Sequence, residues 1–148
     1  MLNRLQGVFA CLEKHQVDYL VIGGIASILH GVPRARFDLD ILIRATPQNA
    51  QHLLDALLEA GLGTAALTDA ARLLANEITI FNDRVRVDVQ TSTPGLIFEK
   101  GWRDRVTMEF EGQKFFVVSK PDLIASKRAT AREQDLQDVA ALEQTDIS

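Results

Sequence analysis

The chain has 148 residues, 47% of them hydrophobic and 24% charged, with a formal net charge of −4. These values predict one globular domain over residues 1–148 with a real core, and they exclude a broadly basic nucleic-acid coat. A single cysteine, Cys11, excludes an intrachain disulfide framework, and no apolar run is long enough to cross a membrane as a helix, so a reducing, cytoplasmic setting is expected.

In chain order, Leu2, Leu5, Phe9 and Leu12 recur three or four residues apart and predict an amphipathic helix that covers a sheet. Tyr19-Leu-Val-Ile22 then reads as a short strand, Gly23-Gly24 as a tight turn, and the residues to His30 as about two helical turns. A glycine pair lets the backbone bend and bare its N–H groups at the start of a helix, where the dipole favours an anion. The next apolar run carries Asp38 and Asp40. On a strand, two residues apart means one face, with Leu39, Ile41 and Ile43 on the other. Paired carboxylates resist joint ionisation unless they share a cation. Hard oxygen ligands suit Mg²⁺ or Mn²⁺, which are typically held by one or two carboxylates together with substrate phosphates. Taken alone, Asp-x-Asp also reads as a solvated strand face beside Arg34 and Arg36.

Thr46-Pro47 is an N-cap followed by proline, and Leu53, Leu54, Leu57 and Leu58 carry that helix to Gly61. Residues 63–76 predict a short helix. Residues 77–81 and 85–90 predict a hairpin around Asn82-Asp83, with Val85, Val87 and Val89 on one face and Arg86, Asp88 and Gln90 on the other. Asp88 is thus either a third site carboxylate or a strand residue balancing Arg86. A loop and short helix occupy 92–105, where Trp102 is expected to pack and Lys100, Arg103 and Arg105 form a local basic cluster able to meet an RNA backbone. Residues 106–110 and 114–118 predict a second hairpin around Glu111-Gly112-Gln113. A final helix is predicted over 121–143. Its apolar arc of Leu123, Ile124, Ala131, Val139 and Leu142 also contains Lys127, Asp135 and Asp138. Charges on such a stripe are costly unless paired or functional, so Lys127 either bridges to Asp135 or Asp138 or faces a polar cavity.

Gly23-Gly24, the spacer, and Asp38-Leu39-Asp40 together resemble the nucleotidyltransferase fold of the DNA polymerase beta type. Gly23-Gly24-Ile-Ala26, His30-Gly31-Val-Pro33-Arg34 and Asp38-Leu-Asp40-Ile are similar to the small bacterial branch that includes AbiEii-type toxins. Gly24 stands where many members have serine, with Ser27 as a substitute, and Arg36 stands where that branch often has threonine. The run from Leu123 to Val139 resembles the branch's C-terminal lysine, arginine and aspartate motif. The resemblance implies an α/β (α+β) fold: a small mixed β-sheet with helices packed on it and a C-terminal motif helix. It also implies Mg²⁺-dependent transfer of NMP from an NTP to a hydroxyl on RNA, tRNA, a protein or a small molecule, in a toxin–antitoxin or phage-defence setting. Asp38, Asp40 and Asp88 would hold metal. Gly23, Gly24, Ser27, Arg34, Lys127 and Arg132 would meet the nucleotide, Lys127 would act in catalysis, and Asp135 and Asp138 would support it. The competing expectation is a non-catalytic module of the same fold, antitoxin-like or regulatory, that binds a partner protein. In the catalytic case a homodimer could supply acceptor surface.

Overall fold

The computed structural model describes residues 2–33 and 38–145. Its elements run α1 (Leu2–Lys14), β1 (Tyr19–Ile22), α2 (Gly23–Leu29), β2 (Leu39–Ile43), α3 (Pro47–Glu59), a 3₁₀ turn (Gly63–Leu67), α4 (Ala70–Ala75), β3 (Ile78–Asn82), β4 (Arg86–Gln90), α5 (Phe98–Arg103), β5 (Val106–Phe110), β6 (Gln113–Val117), α6 (Lys120–Thr130) and α7 (Glu133–Gln144). Among the described residues the strands form one mixed sheet in the order β3-β4-β2-β1-β6-β5. β1 runs antiparallel to β2 and parallel to β6, and β2 runs parallel to β4. The α/β architecture expected from the sequence is the one observed.

Hydrophobic periodicity explains which face is which. Leu5, Val8, Phe9 and Leu12 of α1 and Leu53, Leu54 and Leu57 of α3 are buried against the alternate residues of the strands. Each fully buried Leu or Phe of this kind contributes about 1.5–3 kcal/mol of transfer free energy. All four residues of β1 are buried, because helices cover this central strand on both faces. β4 instead alternates, with Val87 and Val89 fully buried and Arg86, Asp88 and Gln90 half-buried on the opposite face. The Thr46 hydroxyl caps α3 by accepting from the Asn49 amide at 3.2 Å, as the Thr-Pro start predicts.

Two expectations are corrected. The single helix over 121–143 is two. Ala131 adopts a left-handed backbone (φ 52°) that ends α6, and Thr130 folds its hydroxyl back toward the Lys127 carbonyl (3.0 Å) and the Asp135 carboxylate (2.7 Å). Asp135 also accepts from the Arg132 amide at 3.3 Å, which starts α7 afresh. The helix over 63–76 is likewise split, with Asp69 capping α4 through the Arg72 amide at 2.9 Å.

Of the basic cluster of the second half, Lys100 and Arg105 are engaged internally, while Arg103 stays exposed. Lys100 donates to buried Asp122 at 2.7 Å and to Asp104 at 3.2 Å, and the Arg105 guanidinium lies 3.9 Å over the Trp102 ring. Trp102 packs edge-on against Phe116 and stacks on Phe98, as expected of a packing role.

Candidate functional site

The sheet register brings the acids of two distant sequence segments together. Asp40 on β2 pairs across the ladder with Asp88 on β4, one residue directly opposite the other, and with Ile22 at the end of β1. Adjacent strands put such partners about 5 Å apart with side chains on the same face. Asp40 and Asp88 line one cavity of about 720 Å³, whose far wall is built by Lys127, Thr130, Arg132 and Asp135 from the α6–α7 junction. A side cavity of about 160 Å³ joins Gly23, Gly24 and Asp40 to Lys127, Arg132 and Asp135. The break between α6 and α7 therefore has a purpose in the architecture: it points cationic and anionic side chains of one segment at the strand acids.

Gly23 is required where it sits. Its φ is +70°, and a Cβ there would overlap the Asp40 carboxylate, lying 3.0 Å from its Cγ. Gly23→Ala is therefore expected to destabilise the fold by about 1–3 kcal/mol, from left-handed strain and overpacking, and to displace Asp40. A urea midpoint lowered at unchanged slope would show the first effect.

Lys127 is buried, and its ammonium donates to Asp138 at 2.9 Å and lies 3.8 Å from Asp135. Both readings of this lysine hold at once: it is a buried bridge and it lines both cavities. Asp138, rather than Asp135, is its close partner. Asp135 is bound instead by the Arg132 guanidinium at 2.7 Å and the Thr130 hydroxyl. Burial pushes its carboxyl up, but the hydrogen bonds from Arg132 and Thr130 prevail and hold it below the usual range.

Other expected site residues lie elsewhere. Ser27 is fully buried and its hydroxyl donates back to the Gly23 carbonyl at 3.3 Å, so it braces the turn and does not face either cavity. Asp38 lines a separate cavity of about 190 Å³ with Arg4, Asn82 and Arg86. Arg34 lies outside the described residues. Sequence reasoning gave Arg86 only a balancing role. Its guanidinium grips both Asp88 oxygens, at 2.9 and 3.1 Å, and approaches Asp38 at 3.9 Å. Hydrogen bonding and charge from Asp88 raise the pKa of Arg86 further. The signal was present in the period-two spacing of Arg86 and Asp88. Thr130 left no such trace.

Among the described residues, no group of three or more His, Cys, Asp or Glu side chains is placed to hold a metal ion. The donor set nevertheless fits a divalent ion of the kind that substrate completes: two carboxylate side chains on neighbouring strands, facing a polar cavity with room for phosphate oxygens. That this acid face already attracts a cation is shown by Arg86.

A comparison with protein families matches residues 3–146 to a family described as nucleotidyltransferase of unknown function (DUF6036). The chain belongs to that family. Among solved structures, it is similar to an antigenic nucleotidyltransferase-like protein from Paracoccidioides brasiliensis, with a TM-score of 0.57 and 16% identity over 93% of this chain and 72% of the other. It is also similar to a candidate nucleotidyltransferase from Thermotoga maritima, with a TM-score of 0.55 and 15% identity over 97% and 90%. At such identities the likeness is one of fold. A comparison with curated proteins finds no match. The nucleotidyltransferase resemblance read from the sequence is thus confirmed at the level of family and fold. No helix among the described residues is long and apolar enough to cross a membrane.

Proposed function

We propose that this protein is a Mg²⁺-dependent, cytoplasmic nucleotidyltransferase that moves the NMP of an NTP onto a hydroxyl acceptor. The observation that carries this reading is the register pairing of Asp40 with Asp88 on the floor of a cavity walled by Lys127 and Arg132. Asp40 and Asp88 would hold the divalent ion, while Asp38, the other acid the resemblance names as a ligand, lines the neighbouring cavity beside Arg86. When bound, the ion neutralises phosphate charge and polarises the α-phosphate.

The chain's own residues account for the rest. Gly23 and Gly24 border the side cavity with Lys127 and Arg132, and their backbone N–H groups together with those cationic side chains would meet a β- or γ-phosphate placed there. Asp138 holds the Lys127 ammonium in place, and Asp135 does the same for Arg132. The acceptor oxygen attacks the α-phosphorus, a new P–O bond forms as the α–β bridge breaks, pyrophosphate leaves, and Asp88 takes the hydroxyl proton. RNA 3′ ends including tRNA, protein hydroxyls and small molecules are all acceptors of the required chemistry. The AbiEii-type resemblance is what suggests a toxin–antitoxin or phage-defence role.

Calorimetric titration with an NTP series, with and without Mg²⁺, followed by an assay for pyrophosphate release, tests the proposal. Metal-dependent binding of an NTP supports it. Absence of binding at millimolar NTP transfers the assignment to the second reading, a regulatory or antitoxin-like partner that keeps the fold and acts by protein contact. The observation favouring that second reading is that Lys127 and Asp88 are each already engaged by internal partners, Asp138 and Arg86.

A further inference from the structure

Arg86 and Asp88 sit two residues apart on β4, so both side chains project from the same face, and the Arg86 guanidinium meets the Asp88 carboxylate as a two-pronged fork at 2.9 and 3.1 Å. The same guanidinium lies 3.9 Å from Asp38. It borders two cavities: the larger one floored by Asp40 and Asp88, and the smaller one shared with Asp38, Arg4 and Asn82. The strand beneath it is fixed on both sides, by Asn82 of β3 opposite Arg86 and Asp40 of β2 opposite Asp88. Only the side chain has freedom to move.

We propose that Arg86 is a built-in counter-ion of the strand acids that competes with the divalent ion, so that metal reaches Asp88 as the guanidinium leaves it. The inference rests on the metal-dependent reading above and adds a positioning residue to it. Both Asp88 oxygens already accept from Arg86, and an ion bound to either would lie beside an uncancelled positive charge. In the resting protein this guanidinium relieves the repulsion between Asp88 and its neighbours without metal. On metal binding it has a destination within reach, since Asp38 in the smaller cavity is its next acid. The two positions thus couple occupancy of the metal site to the shape of the smaller cavity.

Mn²⁺ binding, followed by the loss of the free-ion electron paramagnetic resonance signal, tests this on the full chain as wild type, Arg86→Gln and Asp40→Asn. Arg86→Gln is expected to bind Mn²⁺ about three- to tenfold more tightly than wild type, a modest gain because the pair is partly exposed to solvent. Equal or weaker binding by Arg86→Gln, with binding still lost in Asp40→Asn, overturns the counter-ion role and leaves the metal site standing. Failure of both wild type and Arg86→Gln to bind Mn²⁺ overturns the metal-dependent reading and this inference with it. A second readout needs no variant: in wild type, the ¹⁵N resonance of the Arg86 Nε–H is expected to move as Mg²⁺ saturates the site. An Arg86 resonance that keeps its position at saturating Mg²⁺ overturns the proposal even if the glutamine variant fails to fold.

Discussion

Asp138→Ala is expected to destabilise the protein by about 3–4 kcal/mol, because it leaves the Lys127 ammonium buried without its close partner. Asp135, at 3.8 Å, is the second acid beside that ammonium, and it is already shared between Arg132 and Thr130, so it softens the loss without cancelling it. The double variant Lys127→Met, Asp138→Leu removes both charges and is expected to recover most of that stability, since an apolar pair of similar volume avoids the desolvation of two ions. Urea midpoints at constant slope would separate the two variants. The same pair also reports on function. If Lys127 meets a triphosphate, NTP should stabilise Asp138→Ala more than wild type, because the nucleotide then supplies the missing counter-charge to the folded state alone. Equal stabilisation of the two proteins would mean that this lysine serves the fold and not the nucleotide.

The sheet and its flanking helices were largely legible because their signals are local. The alternation of Val85, Val87 and Val89 with Arg86, Asp88 and Gln90 states which face is buried, and β4 follows it. The 3.6-residue spacing of Leu5, Phe9 and Leu12 does the same for α1. What could not be read is the pairing of β4 beside β2, which joins residues 48 positions apart, such as Asp40 and Asp88; Asp88 entered the site by resemblance, and the ladder supplies the physical reason. The C-terminal helix misled for a different reason. A periodic arc containing Leu123, Val139 and Leu142 predicts one helix, and the break at Ala131 has neither glycine nor proline to announce it. Thr130 and Asp135 make that break by offering hydrogen bonds that compete with the helical ladder, a tertiary override of an otherwise strong pattern. Ser27 illustrates the opposite error. Its position after the glycine pair suggested a phosphate contact, but the two-turn helix rotates its hydroxyl inward to the Gly23 carbonyl.

Under the proposed reading, Asp40→Asn is expected to lower NMP transfer on the order of a thousandfold, because it would remove a ligand of the proposed divalent ion and with it several kcal/mol of transition-state stabilisation. Its effect on stability should be small by comparison. Asp40 faces Asp88 across the ladder but also attracts the Arg86 and Arg132 guanidinium groups, so neutralising it removes a repulsion and two attractions together. A variant about as stable as wild type yet catalytically silent is the signature of a residue kept for chemistry. Asparagine preserves shape and leaves Gly23 its close neighbour, whereas a larger substituent would also disturb the turn. Thermal unfolding and pyrophosphate release, measured on the same preparation, distinguish the cases. Loss of both stability and activity would assign Asp40 to the architecture. Loss of activity alone, with Asp88→Asn behaving alike, would assign the register pair to the reacting centre. The logic is the same for every acceptor, because under the proposed reading the two acids would act at the phosphate that each acceptor attacks.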